Sequence, residues 1–179
     1  MLLADLNSLL GMGTLALQIG TALLFAIYFF PKQIPGADAV GRFLGTWGIL
    51  IALAAASAGS AFAVIHSSLY GLEPCPLCYW QRIFLFPQIV LFVMVLWKRE
   101  YRATVIDASI VLSSIGGAIA IYHHILQMFP GSGIPCPATG PSCSQILFLE
   151  MGYITYPMMA LTLFVSLSVL MLFVRKIDR

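Results

Sequence analysis

The amino-acid sequence predicts an all-α integral membrane protein with five spans, and three observations predict it. Of its 179 residues, 60% are hydrophobic and 9% are charged, whereas soluble domains average about 25% charged residues; the mean hydropathy is +0.96. Five apolar segments of about 19 to 28 residues each match the roughly 20 that a helix needs to cross the hydrocarbon core. When those segments alternate across a bilayer, eight of the nine basic residues fall on one side. The net charge of +2 is small and sits in short clusters at segment ends, a topology signal that excludes a nucleic-acid-binding patch.

The first segment runs from about Leu9 to Phe30 and stops at Pro31. It has no basic n-region, carries Asp5 and lacks a small-x-small cleavage site, so it reads as a retained helix rather than a signal peptide. The second runs from about Phe43 to Tyr70, the third from Tyr79 to Trp97, the fourth from Thr104 to Met128 and the fifth from Thr155 to Val174. Pro87 is expected to kink the third, and Gly116 and Gly117 to let the fourth pack closely. Lys32, Arg42, Lys98, Arg99, Arg102, Arg175, Lys176 and Arg179 share one side, which the positive-inside rule makes cytoplasmic. The N-terminus and both cysteine-bearing loops are then extracytoplasmic, where disulfides persist. Tyr70, Tyr79, Trp80, Tyr153 and Tyr156 fall near the outer boundary, where amphipathic rings are expected.

The chemistry concentrates in EPCPLCYWQR, Glu73 to Arg82. A C-x-x-C can be a redox pair, a structural disulfide or half of a metal site. With Tyr79 onward helical, Cys78 falls at the helix N-terminus, whose exposed N–H groups favour a thiolate. Arg82, four residues on and the one basic residue on the outer side, leans back toward Cys78 on the same face. A sulfur anion beside a fixed cation suits thiol–disulfide exchange, and the guanidinium fork suits an acceptor oxygen gaining charge. The bland alternative for Arg82 is a snorkelling anchor. A structural disulfide across a C-x-x-C closes almost no loop, and zinc would place a cation beside Arg82. No metal is therefore expected, and the redox reading leads. Gln81 points off the Cys78–Arg82 face and receives no task; His66 reads as structural.

The second outer loop, Phe129 to Ile154, begins PGSGIPCPATGPSC, too rich in Pro and Gly for regular structure. A disulfide between its Cys136 and Cys143 would be exposed on a mobile segment, and such bonds are the exchangeable ones. The following SQILFLEMG is apolar but too short to span, and predicts a brief interfacial helix with Phe148 and Leu149 toward lipid or bundle and Glu150 toward water. His123 and His124 end the fourth span on the outer side. Either could bring an imidazole near Cys78 and Arg82, with His124 preferred; the alternative is an interfacial histidine bonded to water or backbone.

CPLCYWQR after one span, YHHILQMFP at the end of a later one and a second cysteine pair in the next loop resemble the disulfide bond formation proteins of the DsbB/BdbC type. The resemblance covers about Phe43 to Val174. It implies a four-helix transmembrane bundle (residues 43–179) in a bacterial cytoplasmic membrane, preceded here by an additional helix and connector (residues 1–42). It further implies a protein-dithiol:quinone oxidoreductase that reoxidises a DsbA/BdbD-like thioredoxin-fold thiol oxidase and passes two electrons to a quinone, ubiquinone or menaquinone. In that scheme Cys78 lies against the quinone ring with Arg82 on a quinone oxygen and His124 nearby. Cys136 receives the partner's cysteine, and Cys143 then exchanges with Cys75. Three features depart from the best-known DsbB pattern: the extra first span, Gln81 in place of an acidic residue, and only six residues between Cys136 and Cys143, a spacing closer to the BdbC type. The competing functions are an electron conduit running toward reduction of extracytoplasmic disulfides, and a non-enzymatic membrane scaffold or metal-handling protein with structural cysteines.

Overall fold

The computed structural model describes residues 2–69, 71, 73–129 and 141–177. Tyr70, Cys136, Arg179 and the proline-rich run 130–140 lie outside them. Five helices account for nearly all of the described chain: α1 (Leu2–Phe29), α2 (Ala37–Leu69), α3 (Pro76–Trp97), α4 (Arg102–Met128) and α5 (Tyr156–Ile177). All five are long and apolar enough to cross a membrane. Each span expected from hydropathy is present. Helices α2 and α4 start before their apolar runs, taking in the polar residues Asp38 and Arg102, whereas α3 and α4 end at Trp97 and Met128 as expected.

Helices α2, α3, α4 and α5 form a ring in which each packs on the next and α5 closes on α2. Helix α1 lies outside the ring, mainly against α5. The α4–α5 approach is close because Gly116 faces the ring of Phe164, where a Cβ would collide with it. Gly117, in contrast, has room for a methyl at ordinary contact distance. Of the expected glycine pair, Gly116 is the one that requires the absence of a side chain. Helix α3 runs through Pro87. The next residue, fully buried Gln88, donates to Phe84 O and accepts from Ser109 and Ser113 of α4. Buried amides are tolerated in such a core only when paired in this way. At the opposite end from the cysteines, Arg102 donates to Gly45 O and Arg175 pairs with Asp107 at 3.4 Å, so the basic residues gather at one end of the bundle.

Side-chain hydrogen bonds dock α1. Gln18 donates to Thr162 Oγ1 at 3.1 Å and accepts from Tyr153 OH at 2.7 Å, and Thr21 and Ser166 hydroxyls meet at 2.7 Å. In lipid, where apolar faces gain little by meeting, such bonds contribute about 0.6–2 kcal/mol each. Gln18→Leu is expected to weaken the α1–α5 contact by about 1–3 kcal/mol, lowering the melting temperature in detergent and speeding proteolysis at the turn that carries Tyr153. An unchanged melt and cleavage pattern would mean that packing alone holds α1.

The segment 144–152, expected to be a brief interfacial helix, is not helical. Glu150 and Ile154 pair as an isolated antiparallel bridge around a tight turn, with Met151 at φ 53 and Gly152 at φ 77. Two consecutive left-handed residues stop any helix there. Phe148 is buried and stacks on Tyr156 of α5, while Leu149 remains exposed. The docking of one ring replaces the continuous apolar face that a helix would have needed.

Candidate active site

The site is built on the start of α3. Cys75 is its N-cap, in extended conformation at φ −69 and ψ 163, and Pro76 takes the first helical position, where its missing N–H costs nothing. Cys75 O accepts from the N–H groups of Cys78 and Tyr79. The helix therefore begins three residues before the expected Tyr79, and Cys78 stands in its first turn. From Cys78 one stripe runs down α3 at intervals of three, four and seven residues: Gln81, Arg82 and Leu85. All four line one cavity.

Cys75 Sγ donates to Cys78 Sγ at 3.3 Å, and His123 Nε2 of α4 lies 3.6 Å from Cys75 Sγ. On the other side of the imidazole, Gln81 Nε2 is 3.1 Å from His123 Nδ1. An amide N–H can only donate, so Nδ1 accepts and the imidazole proton sits on Nε2, facing Cys75. The hydrogen bonds therefore run in one direction, from Gln81 through His123 and Cys75 to Cys78. The Cys75 thiol is pushed up to about 12, first because it donates to Cys78 and then because it is buried; the His123 contact opposes both.

That value carries a pH prediction. A raised thiol pKa leaves less thiolate at a given pH, tenfold less per unit, so Cys75 in the reduced protein is expected to resist alkylation at pH 8. Its alkylation rate should climb through pH 11. Cys78→Ala removes the acceptor and is expected to speed alkylation of Cys75 at pH 8 by about tenfold or more, read site by site by mass spectrometry. An unaltered rate would mean that burial, not the hydrogen bond, holds the proton.

Arg82 Nη2 donates to Ala63 O at 2.7 Å and to Ser67 Oγ at 3.3 Å on α2, and the guanidinium carbon lies 5.8 Å from the Tyr79 ring centroid. It faces the bundle interior and does not snorkel outward. The cavity it borders has a volume of about 190 Å³, opens between α2, α3, α4 and α5, and is walled by Phe62, Leu85, Leu163 and Phe164. His66 and Tyr156 complete it, with the His66 ring tilted against Phe62 at 4.0 Å and edge-on to Tyr156 at 5.5 Å. Its wall is apolar, and its polar rim is the cysteine pair with Arg82, Gln81 and the two histidines.

The expected residues are not all brought together. Consecutive helical residues point about 100° apart, so only one of His123 and His124 can face the cysteines. That one is His123; His124, the residue preferred from sequence, turns to Thr155 Oγ1 at 2.9 Å and does not line the cavity. Gln81, expected to point away, is buried and bonded to His123; its spacing of three from Cys78 was the available signal. His66 belongs to the cavity wall as well as to the packing. Cys143, expected on an exposed segment, is 1% exposed and packs with Cys75, Leu77 and Leu126, with Cys78 against them.

The family described as disulfide bond formation protein DsbB matches residues 42–174. A probable disulfide formation protein of Metapseudomonas resinovorans is 31% identical over 134 residues, covering 73% of this chain and 92% of that protein. A probable disulfide formation protein of Chlamydia muridarum is 37% identical over 119 residues, 66% of this chain and 84% of the relative. The SPbeta prophage-derived disulfide bond formation protein B of Bacillus subtilis is 34% identical over 102 residues, 57% and 68% of the two chains. No solved structure matches the chain. With the match running from within α2 to the last turn of α5 and taking in the cysteine pair at the start of α3, the chain belongs to the DsbB family of membrane disulfide bond formation proteins.

Proposed function

We propose that the protein is a membrane thiol oxidase that reoxidises a thioredoxin-fold thiol oxidase outside the cytoplasm and passes the electrons to a membrane quinone. The observation that carries this reading is the position of the Cys75–Cys78 pair. It sits at the mouth of an apolar cavity in a transmembrane bundle, with Arg82 on the rim. An apolar cavity of about 150 Å³ is enough for benzene, so about 190 Å³ suits one substituted six-membered ring. Phe62, Leu85, Leu163 and Phe164 would hold such a ring, and the Arg82 guanidinium would face one of its oxygens. A bound quinone supplies a two-electron, two-proton acceptor.

The residues of the chain supply the rest. Cys78 accepts the Cys75 hydrogen bond at the positive end of α3, the arrangement that holds a sulfur anion. His123 keeps an N–H on Cys75, so a negative charge arriving there during exchange meets a donor. Cys143 lies against the pair, which favours its role as the sulfur that exchanges with Cys75 and leaves Cys136 to the partner. Overall, one partner dithiol becomes a disulfide, and its two electrons and two protons leave with the quinone. The gathering of basic residues at the far end of the bundle supports a cytoplasmic location for that end, with the cysteine end outside.

The test is quinone reduction in membranes containing the protein and a reduced thioredoxin-fold partner. The reading requires quinone consumption equal to partner disulfide formed, with all four cysteines cycling. A fixed thiol count and no quinone consumption would leave a scaffold.

A further inference from the structure

Cys75 Sγ, Cys78 Sγ and His123 Nε2 all lie within 4.8 Å of one another. The two sulfurs are 3.3 Å apart, and Cys75 is 3.6 Å from the imidazole nitrogen. Donors sharing one metal ion in a flat three-coordinate set, at ~2.3 Å for sulfur and ~2.1 Å for nitrogen, stand about 3.8 Å apart for sulfur and nitrogen and about 4.0 Å apart for two sulfurs. Cys75 already stands near that separation from the nitrogen, and the sulfurs need to part by about 0.7 Å. The donors come from the first turn of α3 and the interior of α4, so no loop has to fold in to complete the set.

We propose that the reduced Cys75–Cys78 pair and His123 form a three-coordinate site for Cu(I), and that occupancy withdraws both sulfurs from exchange. The proposal rests on the reading of this pair as the redox centre, and it gives the reduced state a metal-trapped form. Thiolate and imidazole donors suit soft Cu(I). Coordination number selects the monovalent ion. Cu(I) is satisfied by three donors, and the net negative charge that two thiolates then keep shares the cavity with the Arg82 guanidinium and the Glu73 carboxylate. Zn(II) would require a fourth ligand.

Binding involves no change of oxidation state. Cys75 gives up its proton to solvent, Cys78 enters as thiolate, and Cu(I) is held by two sulfurs and one nitrogen. The imidazole proton moves from Nε2 to Nδ1. Gln81 can accommodate it, because turning its amide presents Oε1 as an acceptor in place of the N–H₂. A ligand imidazole held by an acceptor on its second nitrogen is the usual arrangement at metal sites. Oxidation to a Cys75–Cys78 disulfide leaves His123 alone, so the site exists only in the reduced protein.

The test uses the detergent-solubilised full chain with Cys136 and Cys143 replaced by serine, so that only one cysteine pair remains. Anaerobic titration with Cu(I) against bicinchoninate is expected to give one ion per reduced chain and none for the disulfide form. His123→Ala and His123→Asn, the second close in shape to histidine, should each weaken binding at least tenfold. Zn(II) should bind more weakly than Cu(I). Affinity unaffected by both histidine variants, or Zn(II) binding as tight as Cu(I), overturns the site. Dithiothreitol-driven quinone reduction by the same preparation separates the two readings. Reduction that persists without Cu(I) binding overturns the metal site alone. Reduction blocked by one equivalent of Cu(I) supports it. Cu(I) binding with no quinone reduction at any metal level keeps the site but removes the redox reading.

Discussion

Cys78→Ser is expected to abolish quinone reduction while leaving a mixed disulfide with the partner obtainable. The two half-reactions use different sulfurs. Both cysteines border the apolar cavity, but Cys78 receives the Cys75 hydrogen one turn from Arg82, and Cys75 is buried in the cluster that holds Cys143. A serine hydroxyl keeps the shape and the hydrogen bond but cannot act as a thiolate nucleophile or form a disulfide. The expected loss is therefore to background, at least about a thousandfold, or more than about 4 kcal/mol in barrier terms. Partner capture through the second cysteine pair needs neither Cys78 nor the quinone, and a trapped complex should survive non-reducing electrophoresis. Normal quinone turnover in this variant would end the assignment of Cys78 as the electron-donating sulfur. Failure of both half-reactions would mean that the serine disturbs the first turn of α3.

The same residues show how much of the molecule is legible in its sequence. Span number and the place of the cysteines relative to the basic end follow from hydropathy and charge. Both are long-range averages that side-chain packing barely alters. Arg82 is readable for a related reason: a cation among apolar residues near a C-x-x-C has few other uses. The choice between His123 and His124 is not readable in this way. It depends on the rotation of α4 about its own axis, which is set by Gly116 settling against Phe164 and by Gln88 pairing with Ser109 and Ser113. One residue of rotational phase moves a side chain by about 100°, and apolar residues surround most of α4. Gln81 is readable, because residues three and four beyond Cys78 share one helical face and Gln81 therefore stands beside Arg82. The run at 144–152 misled for a different reason. Its apolar content is real, but Gly152 and the left-handed Met151 turn the chain before a helix can form, and Phe148 finds its pocket on α5 instead.

Arg82→Ala is expected to impair quinone use far more than exchange with the partner, raising the apparent KM for quinone and lowering kcat/KM by about 10- to 100-fold. That range is equivalent to about 1.4–2.8 kcal/mol. Its cation is the only one bordering the cavity among the described residues. The alanine variant also deletes the staple from α3 to Ala63 O and Ser67 Oγ on α2, so a loss could be read as structural. Arg82→Lys separates the two effects. Lysine keeps the charge but is a point donor without the planar fork, and it cannot donate to α2 and to a ring oxygen through separate nitrogens. If the guanidinium serves the acceptor, lysine should recover part of the quinone kinetics and leave KM elevated, with partner exchange near wild type in both variants. If Arg82 only ties α3 to α2, both variants should lose partner exchange and quinone use together, in proportion to a lowered melting temperature. The decisive measurement is therefore the ratio of the two half-reactions, because a general loosening of the bundle moves both and an acceptor contact moves one.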